Sequence, residues 1–147
     1  MTQNELERKV ISLMLEKDNK FVYVPMKKLF PSKYKWIDED DFDSILEQLK
    51  SQYDSAEINK REFSGVGFIT TFQVPDKFVV NNVSGEIMDV FASNENNPDE
   101  NIMFVLFITE GRINCLEGVS IFDWDNNYES LNINYTDEGF RKIDIHL

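Results

Sequence analysis

The chain has 147 residues, 41% of them hydrophobic, which suffices for one sizeable core and matches a single domain spanning 1–147. Fifteen Lys or Arg stand against twenty-seven Asp or Glu, and the resulting net charge of −12 disfavours nonspecific attraction to nucleic acid or to an anionic membrane. No stretch approaches the roughly 18 to 20 apolar residues that a bilayer crossing needs, and the polar opening Thr2-Gln3-Asn4-Glu5 does not read as a secretory signal, so a cytoplasmic protein is expected.

Thr2 and Glu5 have the spacing of a capping box. Leu6, Val10, Leu13 and Met14 then recur at helical intervals, which predicts an amphipathic helix over 3–17. Residues 21–24 are a short β-prone run closed by Pro25, and 26–36, with Pro31 and four lysines, read as a turn or irregular helix. A second helix is predicted to start near Asp38, where Asp38, Glu39, Asp40 and Asp41 suit the positive end of the helix dipole. Its apolar stripe is Phe42, Ile45, Leu46, Leu49 and Tyr53.

From residue 54 the pattern is that of strands. Residues 56–59 and 67–74 flank a turn at Ser64-Gly65, and 86–92 follow Ser84-Gly85 as a further strand. The polar stretch 93–100 reads as a surface loop. Residues 102–108 are apolar at every position, which predicts a central strand covered on both faces. Glu110-Gly111 turns it into a second arm over 112–121. Residues 131–135 alternate as a half-exposed strand, and 143–145 offer a last short one. Two helices followed by many strands predict an α+β fold, with N-terminal helices packed on a mainly antiparallel sheet of about five to seven strands.

No catalytic or cofactor motif accompanies this pattern. The sole histidine, His146, is the penultimate residue, and Ser64-Gly65-Val66-Gly67 lacks the lysine and following helix of a phosphate cradle. No Cys/His cluster is available for zinc, and lone Cys115 reads as an inert small core residue of an apolar strand. Asp123, Asp125 and Asn127 imitate the start of a calcium loop, but Tyr128 stands where the loop needs glycine and Asn134 where it needs a bidentate glutamate. Neither a metal nor a cofactor is expected.

Charge is the stronger signal. Residues 1–36 carry eight Lys or Arg and four acids, a net of +4, which leaves −16 for residues 37–147. Between Glu86 and Glu129 there are ten acids and one base, Arg112. Phe122, Trp124 and Tyr128 are interleaved with them, and such aromatic residues commonly anchor interfaces. A stiff apolar hairpin presenting carboxylates would suit a basic protein partner, such as a cationic nuclease, and would bind it without an ordering cost. The candidate partner-binding residues are Glu110, Glu117, Asp123, Trp124, Asp125, Tyr128 and Glu129. Glu117 shares its parity with Ile113, Cys115, Val119 and Ile121, which puts its carboxylate on the buried face unless a bulge near Gly118 turns it outward.

The pairing of Gly65-Val66-Gly67-Phe68-Ile69-Thr70-Thr71-Phe72 with Phe107-Ile108-Thr109-Glu110-Gly111-Arg112-Ile113 and Leu116-Glu117-Gly118 resembles small bacterial proteins encoded beside polymorphic toxins. These are immunity proteins of the contact-dependent growth inhibition type, and the resemblance covers residues 64–122. It implies a non-enzymatic protein of the producing cell's cytoplasm that neutralises a cognate toxin domain, commonly a nuclease, by direct binding. A monomer or weak dimer is expected. Two rival readings stay open: a winged-helix-like nucleic-acid or protein interaction module with a basic face from residues 8–35, and a small enzyme using paired carboxylates.

Overall fold

The computed structural model describes residues 1–16, 39–120 and 131–145. The expected strand at 21–24, the lysine-rich stretch 26–36 and the acidic-aromatic run 121–130 lie outside them. The described elements are α1 (Gln3–Met14), α2 (Glu39–Asp54), β1 (Glu57–Ser64), β2 (Gly67–Gln73), a 3-10 turn (Asp76–Phe78), β3 (Val83–Asn94), β4 (Asn97–Thr109), β5 (Arg112–Ser120) and β6 (Leu131–Ile145). The strands form one antiparallel sheet in the order β1-β2-β5-β4-β3-β6. The fold is α+β, with α1 packed against the sheet.

The first helix begins as its sequence predicts. The Thr2 hydroxyl accepts from the Glu5 N–H at 3.2 Å while the Glu5 carboxylate accepts from the Thr2 N–H at 2.9 Å, which satisfies two otherwise orphaned donors. It ends at Met14, short of the expected 17, where Leu15 leaves the helical conformation as its C-cap, and the carbonyls at this end find partners on the sheet. Arg141 donates to the carbonyls of Glu16 (2.8 Å) and Leu13 (3.0 Å), and the Tyr135 hydroxyl donates to Leu13 as well (2.8 Å).

At the other side of the sheet, Glu7 is buried within the α1 interface. Its carboxylate accepts two N–H groups of Arg61 on β1 (2.8 and 3.1 Å), the Thr70 hydroxyl on β2 (2.5 Å) and the Gln3 amide (2.8 Å). α1 is thereby tied to both edges of the sheet, and the buried charge is fully hydrogen-bonded, the condition under which burial is tolerated. Leu6, Val10, Ile11 and Met14 of α1 and Phe42, Ile45, Leu46 and Leu49 of α2 join Ile87, Phe104, Leu106, Ile113 and Leu116 of the sheet in one core.

Three expectations about the strands need correction. Residues 102–108 are covered on one face only: Ile102, Phe104, Leu106 and Ile108 are buried, whereas Met103 is 37% exposed and Val105 and Phe107 are half-buried. An unbroken apolar run signals two covered faces only when nothing else favours apolar residues on the outer one. The expected loop 93–100 is mostly strand, because β3 continues to Asn94 and β4 starts at Asn97. The Asn94 side chain accepts from the Asn96 N–H (2.9 Å) and so closes a tight turn. Finally, 131–135 and 143–145 belong to one strand, interrupted where residues 136–139 face the single residue Asp89 across the register.

Candidate protein-binding face

The β4–β5 hairpin forms as expected, and its turn is held from three sides. Glu110 (φ 49°) and Gly111 (φ 79°) both take left-handed backbone conformations, the geometry of a two-residue turn that follows the twist of the strands. A β-carbon at position 111 would lie 2.2 Å from the Val80 carbonyl oxygen, so only glycine fits. The fully buried Gln52 of α2 donates to the carbonyls of Gly111 (2.7 Å) and Phe78 (2.9 Å) and accepts from the Ile113 N–H (2.6 Å). Glu110 itself is exposed, and its N–H donates to the Ser84 hydroxyl (3.2 Å).

Beyond the turn the second arm changes parity. Ile108 pairs with Ile113, but Phe107 pairs with Cys115, so Asn114 is an extra residue. Ile113, Leu116, Gly118 and Ser120 therefore face the core, while Cys115, Glu117 and Val119 face away from it. The reading that put Glu117 on the buried face is overturned, and the bulge responsible lies at Asn114, not near Gly118. The three-residue spacing of Ile113 and Leu116, impossible on one face of a regular strand, was the signal for it. Gly118 instead makes room on the core side, because a β-carbon there would come within 2.4 Å of the Phe68 ring, which packs on Phe104 with ring centroids 6.3 Å apart.

The face opposite α1 and α2 can now be written row by row. Glu62, Ile69, Glu117 and Val105 stand in one register line across β1, β2, β5 and β4. Beside them run Gly67, Val119, Met103 and Phe91. Val119 is 42% exposed, and Ile69 and Met103 are each 37% exposed. Large apolar side chains that water reaches, with carboxylates set among them, mark this face as the candidate site. Of its members, Glu117 was named from sequence; Glu62, Ile69, Met103 and Val119 were not, because the alternation placed the β5 residues on the wrong side.

Of the sequence-derived set, only Glu110 and Glu117 fall among the described residues. Glu117 pairs with Val105, five positions before Glu110 along β4, so the two carboxylates stand roughly 17 Å apart at ~3.3 Å per residue. Asp123, Trp124, Asp125, Tyr128 and Glu129 lie outside the described residues. Nor do all the acids between 86 and 129 face solvent: Asp89 is fully buried against Arg141, with 2.6 Å between Oδ2 and Nε. Arg112, the lone base of that segment, pairs with Asp76 at 2.6 Å.

Cys115, expected in the core, is instead half-buried on the same outer face, because the Asn114 bulge reverses its parity. Burial, aided by the negative charge of Glu117, pushes its thiol pKa up, which keeps it protonated and unreactive. Among the described residues no group of three or more His, Cys, Asp or Glu is placed to hold a metal ion, and no helix is long and apolar enough to cross a membrane. No protein-family model matches the chain, and neither a characterised protein nor a solved structure matches it.

Proposed function

We propose that the chain is a toxin-neutralising immunity protein, a non-catalytic inhibitor that binds and blocks a cognate basic toxin domain, a nuclease, in the cytoplasm of the cell that makes both. The observation that carries this reading is Glu117, a carboxylate set outward on a central strand between the apolar Ile69 and Val105. The apolar neighbours supply contact area, and the hydrogen-bonded strands on both sides hold the charge in place before binding. With −12 on the whole chain, the surface selects a cationic partner and attracts it at long range.

The resemblance of residues 64–122 to immunity proteins supports the same reading, since that segment contains β2, β5 and the outward positions of β4. The rival nucleic-acid module would draw on the Lys and Arg side chains of residues 8–35, but a chain with a net charge of −12 would repel phosphate.

The decisive experiment uses the neighbouring upstream reading frame. Its C-terminal domain is expressed with and without this chain, and growth and nucleolytic activity are followed together with co-elution on size exclusion. Rescue of growth with a stoichiometric complex is the expected result. A basic toxin that stays active beside equimolar chain would sink the proposal.

A further inference from the structure

A groove of ≈ 340 Å³ opens where the tip of the β1–β2 hairpin meets the end of β5. Three of its walls are apolar side chains that water reaches: Val66 (45% exposed), Val119 and Ile69. Gly67 in its lining leaves β2 close against β5, because a β-carbon there would lie 1.9 Å from the Gly118 carbonyl oxygen and no larger residue can take its place.

Glu62 and Glu117 line the groove from opposite sides. They are the outer members of the line Glu62, Ile69, Glu117 on three adjacent strands, so their Cα atoms stand about 10 Å apart at ~4.8 Å per strand. An apolar floor between two carboxylates fits a side chain that is aliphatic along its length and cationic at its end.

We infer that this groove seats one arginine or lysine side chain of a basic protein partner, its methylenes lying on Ile69 and Val119 and its cationic head between Glu62 and Glu117. The inference rests on the proposed basic partner, but its test does not need that partner. Lys60 now occupies part of the charge site, with Nζ 2.6 Å from Glu62 Oε1. Both side chains are more than half exposed, which makes the pair weak and readily exchanged.

The test is an amide-shift titration of the full chain with acetyl-Gly-Arg-Gly-amide. The controls are the norleucine analogue, which has the stem without the charge, and guanidinium chloride, which has the charge without the stem. Saturable shifts at Glu62, Ile69 and Glu117 are expected with the arginine peptide alone. Each of Glu62→Gln and Glu117→Gln should weaken it by up to about fivefold, the scale of an exposed ion pair. Lys60→Met should tighten it, and Glu110→Gln, at the far turn, should leave it unchanged. Shifts centred elsewhere, equal shifts with the norleucine analogue, or indifference to the two Gln variants would overturn the assignment. Should the groove fail while the chain still neutralises a toxin, the groove alone is discarded; should the peptide bind while the toxin stays active, the inhibitor reading is discarded and the groove stands.

Discussion

Arg141 joins the buried Asp89 through a 2.6 Å contact and spends its other N–H groups on the carbonyls of Leu13 and Glu16, so one side chain of the edge strand β6 both neutralises a core carboxylate and closes the C-terminus of α1. Removing either partner strands the other. Arg141→Met should therefore cost about 3 to 5 kcal/mol in urea unfolding, the range for breaking a buried pair. Asp89→Leu combined with Arg141→Met should recover a good part of that loss. A single variant within 1 kcal/mol of the parent, on the order of a surface substitution, would show that the pair is not buried in solution.

Gln52 makes the equivalent link for α2. Truncation to Ala removes the acceptor of the Ile113 N–H and the Gln52 donor to the Phe78 carbonyl, while the Gly111 carbonyl keeps only the Val80 N–H (3.0 Å). A destabilisation of roughly 1 to 3 kcal/mol for each unsatisfied buried group is expected. Hydrogen exchange would localise it: the Ile113 amide should lose protection well before the amides of the β1–β2 ladder, whereas uniform loss would contradict a local role at the turn.

Much of the fold was legible because its signals are local. Thr2 and Glu5 define a cap, the stripe Phe42, Ile45, Leu46 and Leu49 defines a buried helix face, and Glu110-Gly111 defines a turn. What sequence did not yield depends on pairing between distant segments. One extra residue at Asn114 reverses the facing of everything after it; the spacing of Ile113 and Leu116 hints at it, but its place is fixed only when Phe107 is matched with Cys115 across the ladder. The same error hid the candidate face, since Glu117 and Val119 were assigned inward. Glu62 escaped notice for a related reason: it approaches Glu117 only because β1 and β5 both pair with β2, although 55 positions separate them in the chain. Asp89 counted as surface charge because its partner Arg141 is equally remote.

The contact between Gly118 and Phe68 gives a steric prediction. Gly118→Ala puts a methyl group 2.4 Å from the ring edge, and the overpacking should cost about 1 to 3 kcal/mol. Phe68→Leu in the same chain makes room, so the double variant should lose less than the sum of the two singles. Strict additivity in chemical denaturation would mean that the ring and the glycine do not meet.

The thiol of Cys115 reports on the charge beside it. Burial first, and Glu117 second, raise its pKa, so alkylation by iodoacetamide should need a higher pH than for a free thiol. Glu117→Gln removes only the second cause and should shift the rate profile part of the way down. The sign for stability follows: a thiol whose folded pKa is raised supports the fold below its unfolded pKa, and that support is lost as pH rises through the folded value. Glu117→Gln should narrow that alkaline loss. A rate profile unmoved by the substitution would mean that the two side chains do not share the outer face.

Separation along β5 distinguishes the two described carboxylates of the sequence-derived site. If a basic toxin docks on the sheet face, Glu117→Lys places a like charge within the contact, and its cost should reach the 2 to 5 kcal/mol or so seen when a desolvated interface charge is lost, expressed mainly in the dissociation rate. Glu110→Lys, roughly 17 Å away at the turn, should act as a rim charge, slowing association modestly and losing most of its effect as salt is raised. Kinetics of the two variants against the same toxin at low and moderate salt make the comparison. Equal effects would place the contact at the hairpin tip or elsewhere, because a single face centred on Ile69, Glu117 and Val105 cannot weigh both positions alike.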